Sequence, residues 1–100
     1  MILIYITCKD KKEVIKLSTY LLQNKLAACT NFYPIKSMYF WNNQLETSSE
    51  YALLVKTENN KYNKIKAEIK KIHSYEVPCI MKINVEFNKD YEQWLKDSII

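Results

Sequence analysis

Leu26-Ala-Ala-Cys-Thr-Asn-Phe-Tyr-Pro-Ile-Lys-Ser-Met-Tyr-Phe-Trp41, then Asn42-Asn43, then Gln44-Leu-Glu-Thr-Ser-Ser-Glu-Tyr-Ala-Leu-Leu-Val-Lys-Thr57, is the stretch that decides the fold of this 100-residue chain. Aromatic and β-branched residues make both arms extended. The Asn pair is the best turn candidate available, because Asn tolerates positive φ. The reading is one long hairpin, with its second arm starting near Gln44 or Leu45. Pro34 cannot donate a ladder hydrogen bond, so it predicts a bulge, a bend or a sheet edge within the first arm.

Each side of the hairpin carries a strand and a helix. Upstream, Ile2 to Cys8 is a continuous apolar run suited to a central strand. Asp10 stands as the cap of a helix, with Glu13 placed as in a capping box. Val14, Leu17, Leu21 and Leu22 recur at helical spacing up to about Asn24, a plausible left-handed C-terminal residue. Downstream, Asn59 or Asn60 is expected to cap a second helix with Tyr62, Ile65, Ile69 and Ile72 on one face. A last strand spans Cys79 to Phe87, and a short helix after Asp90 is expected to bury Tyr91, Trp94 and Leu95. The order β-α-β, β-α-β predicts an α+β ferredoxin-like sandwich with a long β2–β3 hairpin, as one domain over residues 1–100. In that sheet the first and last strands are neighbours, so Cys8 and Cys79 share an edge. Cys29 and Lys56 fall in the opposite half.

Composition narrows function. Glycine is absent, which removes the P-loop and the dinucleotide fingerprint together. All fifteen basic residues are lysine in a chain of net charge +4. Without one bidentate arginine fork, a nucleic-acid reader is not expected. Lys61, Lys64, Lys66, Lys70 and Lys71 read as a solvated helix face. Three cysteines make no disulfide framework. The apolar opening is too short for a signal peptide or a membrane span. The expectation is a cytoplasmic protein with reduced thiols and no membrane or nucleic-acid partner.

Chemistry-bearing side chains concentrate in His73-Ser-Tyr-Glu-Val-Pro-Cys79, between the second helix and the last strand. Cys8, His73 and Cys79, with Glu76 nearby, are of the type that suits Cu(I) or Zn. The bland alternative is that the cysteines are small buried apolar groups and the histidine caps carbonyls. A cysteine nucleophile would need an oriented histidine base and an oxyanion hole, and nothing suggests the latter. Glu46, Glu50 and Glu58 lie along the hairpin and its exit, where solvated charge is the default. The aromatics Phe32, Tyr33, Tyr39, Phe40 and Trp41 favour a neighbouring chain covering the hairpin.

Leu26-Ala-Ala-Cys-Thr-Asn31, Pro34-Ile-Lys-Ser-Met-Tyr39 with Trp41, Leu54-Val-Lys-Thr57, His73-Ser-Tyr-Glu-Val-Pro78 and Tyr91 with Trp94-Leu95 together resemble the CutA family of divalent-cation-tolerance proteins. The resemblance spans nearly the whole chain in order. It implies a tight homotrimer in which the hairpins pair between subunits, similar in architecture to the PII signalling proteins. It further implies a link to copper and heavy-metal tolerance, and no enzymatic activity. Copper or another divalent cation becomes the candidate ligand, with no cofactor required for folding. The matching positions Cys29, Trp41, Glu46, Lys56, Tyr75, Glu76 and Pro78 cluster, in the family, towards clefts between subunits. His73 matches a position connected with copper. The departures are Cys79 where the family usually has an acid, Asn43 for the turn glycine, Asn84 for a strand proline, and Lys9 near a missing proline. A PII-like signalling or scaffold module without a metal role is the alternative reading.

Overall fold

The computed structural model describes residues 1–100. Its elements are β1 (Ile2–Cys8), α1 (Lys11–Gln23), β2 (Cys29–Trp41), β3 (Gln44–Thr57), a 3-10 turn (Asn59–Lys61), α2 (Tyr62–Ile72), β4 (Ile80–Asn84) and α3 (Lys89–Ser98). The four strands form one antiparallel sheet in the order β2-β3-β1-β4. That is the split βαβ arrangement, with β1 and β4 adjacent as expected.

The hairpin register runs without a slip from Cys29↔Lys56 to Trp41↔Gln44. Pro34 therefore marks an edge rather than a bulge: β2 pairs only with β3, so the missing N–H costs no ladder bond. Asn42 and Asn43 have φ of 52° and 62°, the two-residue turn whose twist matches the strands it joins.

Strand parity sorts the sheet into two faces. Ile2, Ile4, Ile6, Cys8, Leu53 and Val55 point to the helices and pack on Val14, Leu17, Leu21, Ile65 and Ile69, which forms the core. The other face carries Tyr5, Thr7, Tyr33, Ala52, Met81 and Ile83. No helix covers it centrally, and α3 meets it only near Lys56.

Helix ends differ in detail from the sequence expectation. Asp10 does cap α1, its Oδ1 accepting from the Glu13 N–H at 2.8 Å. Glu13 does not close the box, because its carboxylate is drawn to Lys9 and Ser74 instead. The left-handed residue is Lys25 (φ 53°), not Asn24. Leu26 N–H to Leu21 carbonyl and Lys25 N–H to Leu22 carbonyl make a Schellman closure one residue later, which lets Leu26 reach the core. Neither Asn59 nor Asn60 caps α2. The 3-10 turn takes up that end, and the Asn59 side chain accepts from Lys82 at 2.9 Å. β4 stops at Asn84 and α3 begins at Lys89. Leu95 is buried there, whereas Trp94 is exposed. The second-arm burial also differs from a solvated reading, since Glu50 is 6% exposed.

Candidate functional site

The link from α2 to β4 is tied down by His73 at its start and by two distant carboxylates, Glu13 and Glu50. His73 ends α2, its N–H reaching the Ile69 carbonyl at 2.9 Å. Its Nδ1 accepts from the Tyr75 N–H at 3.0 Å, which leaves Nε2 to donate to the Thr7 carbonyl at 2.9 Å. The network thus selects the neutral Nε2–H tautomer. Glu13, 6% exposed, accepts from Lys9 N–H at 3.0 Å and from Ser74 N–H at 2.8 Å. Burial acts to raise its carboxyl. The hydrogen bonds from Lys9 and Ser74 outweigh burial and hold it below its ordinary value. Cys8 lies against this network in the core. Burial first, and then the charges of Glu13, Glu50 and Asp10, push its thiol up to about 12.

Cys8, Glu13 and His73 bring their ligand atoms within 4.8 Å of one another. Proximity alone does not make these three fit a bound ion. Both imidazole nitrogens and both carboxylate oxygens are engaged by backbone partners, so an ion would have to displace those bonds to bind. Cys79 is not part of this group. The β1–β4 register places Cys8 on the core face and extends to put Cys79 opposite Thr7, on the other face. Cys79 is exposed and free. Sharing an edge did not bring the two thiols to one side of the sheet.

Cys79 instead lines a cleft of about 580 Å³ between the 74–79 link and the part of the hairpin beyond the core. Trp41, Tyr39 and Glu46 come from the hairpin, and Tyr75 and Glu76 from the link. The Tyr75 ring leans on His73, with centroids 5.0 Å apart, and its hydroxyl donates to Glu50 Oε2. Burial, followed by that bond to Glu50, raises the phenol well above its ordinary range, so Tyr75 remains a donor. Of the cleft residues expected from the sequence, the structure gathers Trp41, Glu46, Tyr75 and Glu76, and Cys79, expected instead as a metal ligand with Cys8 and His73, joins them. Pro78 is half-buried beside them.

Cys29 and Lys56 are elsewhere. They pair across the base of the hairpin, and the Lys56 ammonium lies 3.4 Å from the Tyr91 hydroxyl and 5.3 Å above its ring. Sequence reasoning missed Thr7, Glu13 and Glu50 as members of the site. For Glu50 there was a signal: period-two counting from Ala52 puts it on the face that Thr7 and Cys79 share.

Comparison with known proteins follows the same outline. Residues 2–98 match the family model described as CutA1 divalent ion tolerance protein. The chain is 38% identical over 97 residues to the divalent-cation tolerance protein CutA of Archaeoglobus fulgidus, covering 96% of this chain and 95% of the relative. The solved structure of the Archaeoglobus fulgidus protein, described as periplasmic, superposes with a TM-score of 0.94 over 98% of each chain. The crystal structure of CutA1 from Pyrococcus horikoshii, 32% identical, gives 0.97 over 100% of this chain and 99% of the other.

Proposed function

The chain belongs to the CutA1 divalent ion tolerance family, and from that premise we propose that it works as a homotrimer in divalent-cation tolerance, taking its ligand in the Trp41–Glu46–Tyr75–Glu76 cleft. The observation that carries this reading is the cleft itself. It collects acidic and aromatic side chains from two distant segments, while the only tight group of potential metal donors is already satisfied by backbone. Cys79, Glu46 and Glu76 line it as separate donors that do not converge on one point, so a cation there would be held loosely, through one of them and water. What the metal would supply is charge. What the chain supplies is the acidic lining and the fixed link that presents it.

Support for assembly comes from surface. A compact 12.0 kDa monomer exposes roughly 6,000 Å², whereas this chain exposes 6491 Å². On the projecting hairpin, Met38 and Phe40 are 67% and 73% exposed beside the unpaired edge of β2. A neighbouring copy covering that edge and the open sheet face removes both liabilities. The relatives are named as tolerance proteins rather than as enzymes, and a non-enzymatic role is part of the proposal. No helix is long and apolar enough to cross a membrane. All three cysteines are free, which favours the cytoplasm. Cell fractionation tests that placement.

The reading is tested by calorimetry with Cu(I) and Cu(II) on the native protein and on His73→Ala, Cys79→Ser and Glu46→Gln. Loss of binding in Cys79→Ser and Glu46→Gln, with His73→Ala changed less, is expected. Identical weak binding in all four leaves the PII-like scaffold reading in its place. Light scattering should return three times 12.0 kDa, and a monomer would overturn the trimer.

A further inference from the structure

His73 is the only histidine in the chain, and both of its ring nitrogens end on main-chain atoms. Main-chain groups cannot exchange the roles of donor and acceptor, so they fix the ring's proton as well as its orientation. Nε2 must carry a hydrogen to reach the Thr7 carbonyl, just beyond the last β1–β4 pair at Ile6↔Ile80. Nδ1 must be bare to accept the Tyr75 N–H at 3.0 Å. Only the neutral imidazole satisfies both. Histidine is also the side chain whose charge ordinarily changes between about pH 5 and pH 8.

A proton added at Nδ1 sets one N–H against another, and the bond from Tyr75 is lost. The charged ring has a second partner at hand. A Glu13 carboxylate oxygen lies within 4.8 Å of an imidazole nitrogen, and its present partners are backbone amides rather than a cation. The other titratable groups around the ring are few. Cys8 on β1 has its thiol pushed up to about 12, by burial first, and stays neutral here. The Tyr75 phenol, raised by burial and by its bond to Glu50, stays neutral too. Glu50 on β3 stands behind Tyr75, and Asp10 lies on the approach to α1. The bonds to Thr7, Tyr75, Ser74 and Lys9 are all internal to one chain, so they do not depend on what covers the sheet face.

The 73–79 link therefore has two discrete arrangements that differ by one proton. We propose that it is a pH-sensitive switch: neutral His73 holds the Tyr75 amide, and charged His73 turns to Glu13 and lets the Tyr75 end of the link go. Tyr75 is bonded to Glu50 and lines the cleft, so the proton changes how that wall is held. The inference does not rest on what the cleft binds, and its test reads the link alone.

The experiment is NMR on the full-length protein from pH 8 to pH 5, following the imidazole nitrogens and backbone amide exchange. At pH 8 the nitrogen shifts should report the Nε2–H tautomer, and any other tautomer overturns the starting state. As the ring titrates, protection of the Tyr75 amide, corrected for the intrinsic pH dependence of exchange, should fall about tenfold or more at the same midpoint. Amides of β1 should keep theirs, and a parallel fall there overturns the proposal as general loosening. His73→Asn supplies the control, because an asparagine oxygen accepts an N–H two residues on and does not titrate. Its Tyr75 protection should not change with pH. If that variant does not fold, Glu13→Gln decides. Without the carboxylate the native midpoint should move to lower pH, and an unmoved or higher midpoint overturns the switch. Tyr75 protection that stays constant through the native titration, or that falls equally in His73→Asn, also overturns it.

Discussion

Glu13 is the side chain whose removal says most about how the link is held. Its two oxygens each take one backbone amide, Lys9 at 3.0 Å and Ser74 at 2.8 Å, in a largely buried setting. Glu13→Ala leaves two amides without partners, at about 1–3 kcal/mol each. The expected loss is about 2–6 kcal/mol, a large share of the roughly 5–15 kcal/mol that holds a domain of this kind. Glu13→Gln keeps one acceptor and turns an NH2 group towards the other amide, so it should lose roughly half as much. The pH dependence follows from the direction of the shift. A carboxyl held below its ordinary value of about 4.3 contributes stability that is complete above that value and is lost as pH falls through the lower, folded one. Urea unfolding at fixed protein concentration, from pH 7 down to pH 3, should therefore show the gap between the native protein and Glu13→Gln closing at the acid end. Hydrogen exchange at the Ser74 amide should accelerate in both variants at pH 7. A Glu13→Ala loss below about 0.5 kcal/mol, the usual range of inconsequential surface changes, would refute the account of the link. So would a gap that does not change with pH.

Three other outcomes are expected. Ile69→Ala empties a fully buried position between α2 and the sheet and should cost about 2–5 kcal/mol in the same unfolding assay. Asn43→Val forces a β-branched residue to φ 62° and should cost about 1–2 kcal/mol, whereas Asn43→Gly should be neutral or better. Thiol labelling at pH 8 should modify exposed Cys79 promptly and leave Cys8 untouched until the chain unfolds. Because the Cys8 thiol is raised to about 12, its contribution to stability is complete below its unfolded value of about 8.5 and declines as pH climbs towards 12.

Local pattern made most of the fold legible. The apolar run at Ile2–Cys8, the spacing of Val14, Leu17 and Leu21, and the Asn pair between two extended arms each depend on a few adjacent residues. What escaped depends on distance along the chain. Glu13 meets Ser74 sixty-one residues away, and Tyr75 meets Glu50 across twenty-five. No periodicity records such pairs. The grouping of Cys8 with Cys79 came from reasoning about strand edges alone. Register adds the second coordinate, the face, and sends Cys8 to the core and Cys79 to the cleft. The resemblance carried Trp41, Glu46, Tyr75 and Glu76 to one place, where the fold does gather them. It also grouped Cys29 and Lys56 with them, and within one chain these lie at the far end of the hairpin.

Only Lys25, Asn42 and Asn43 hold positive φ, and none is glycine. The consequence lies in the unfolded ensemble. An average chain of this length carries about seven glycines. Each replacement at a compatible position narrows the denatured state by about 0.4–1 kcal/mol. Concentrating left-handed geometry at three sites incurs roughly 1 kcal/mol of local strain apiece, somewhat less for the two asparagines. The balance favours folding by restricting where the disordered chain can go, a source of stability that no contact in the native molecule reveals.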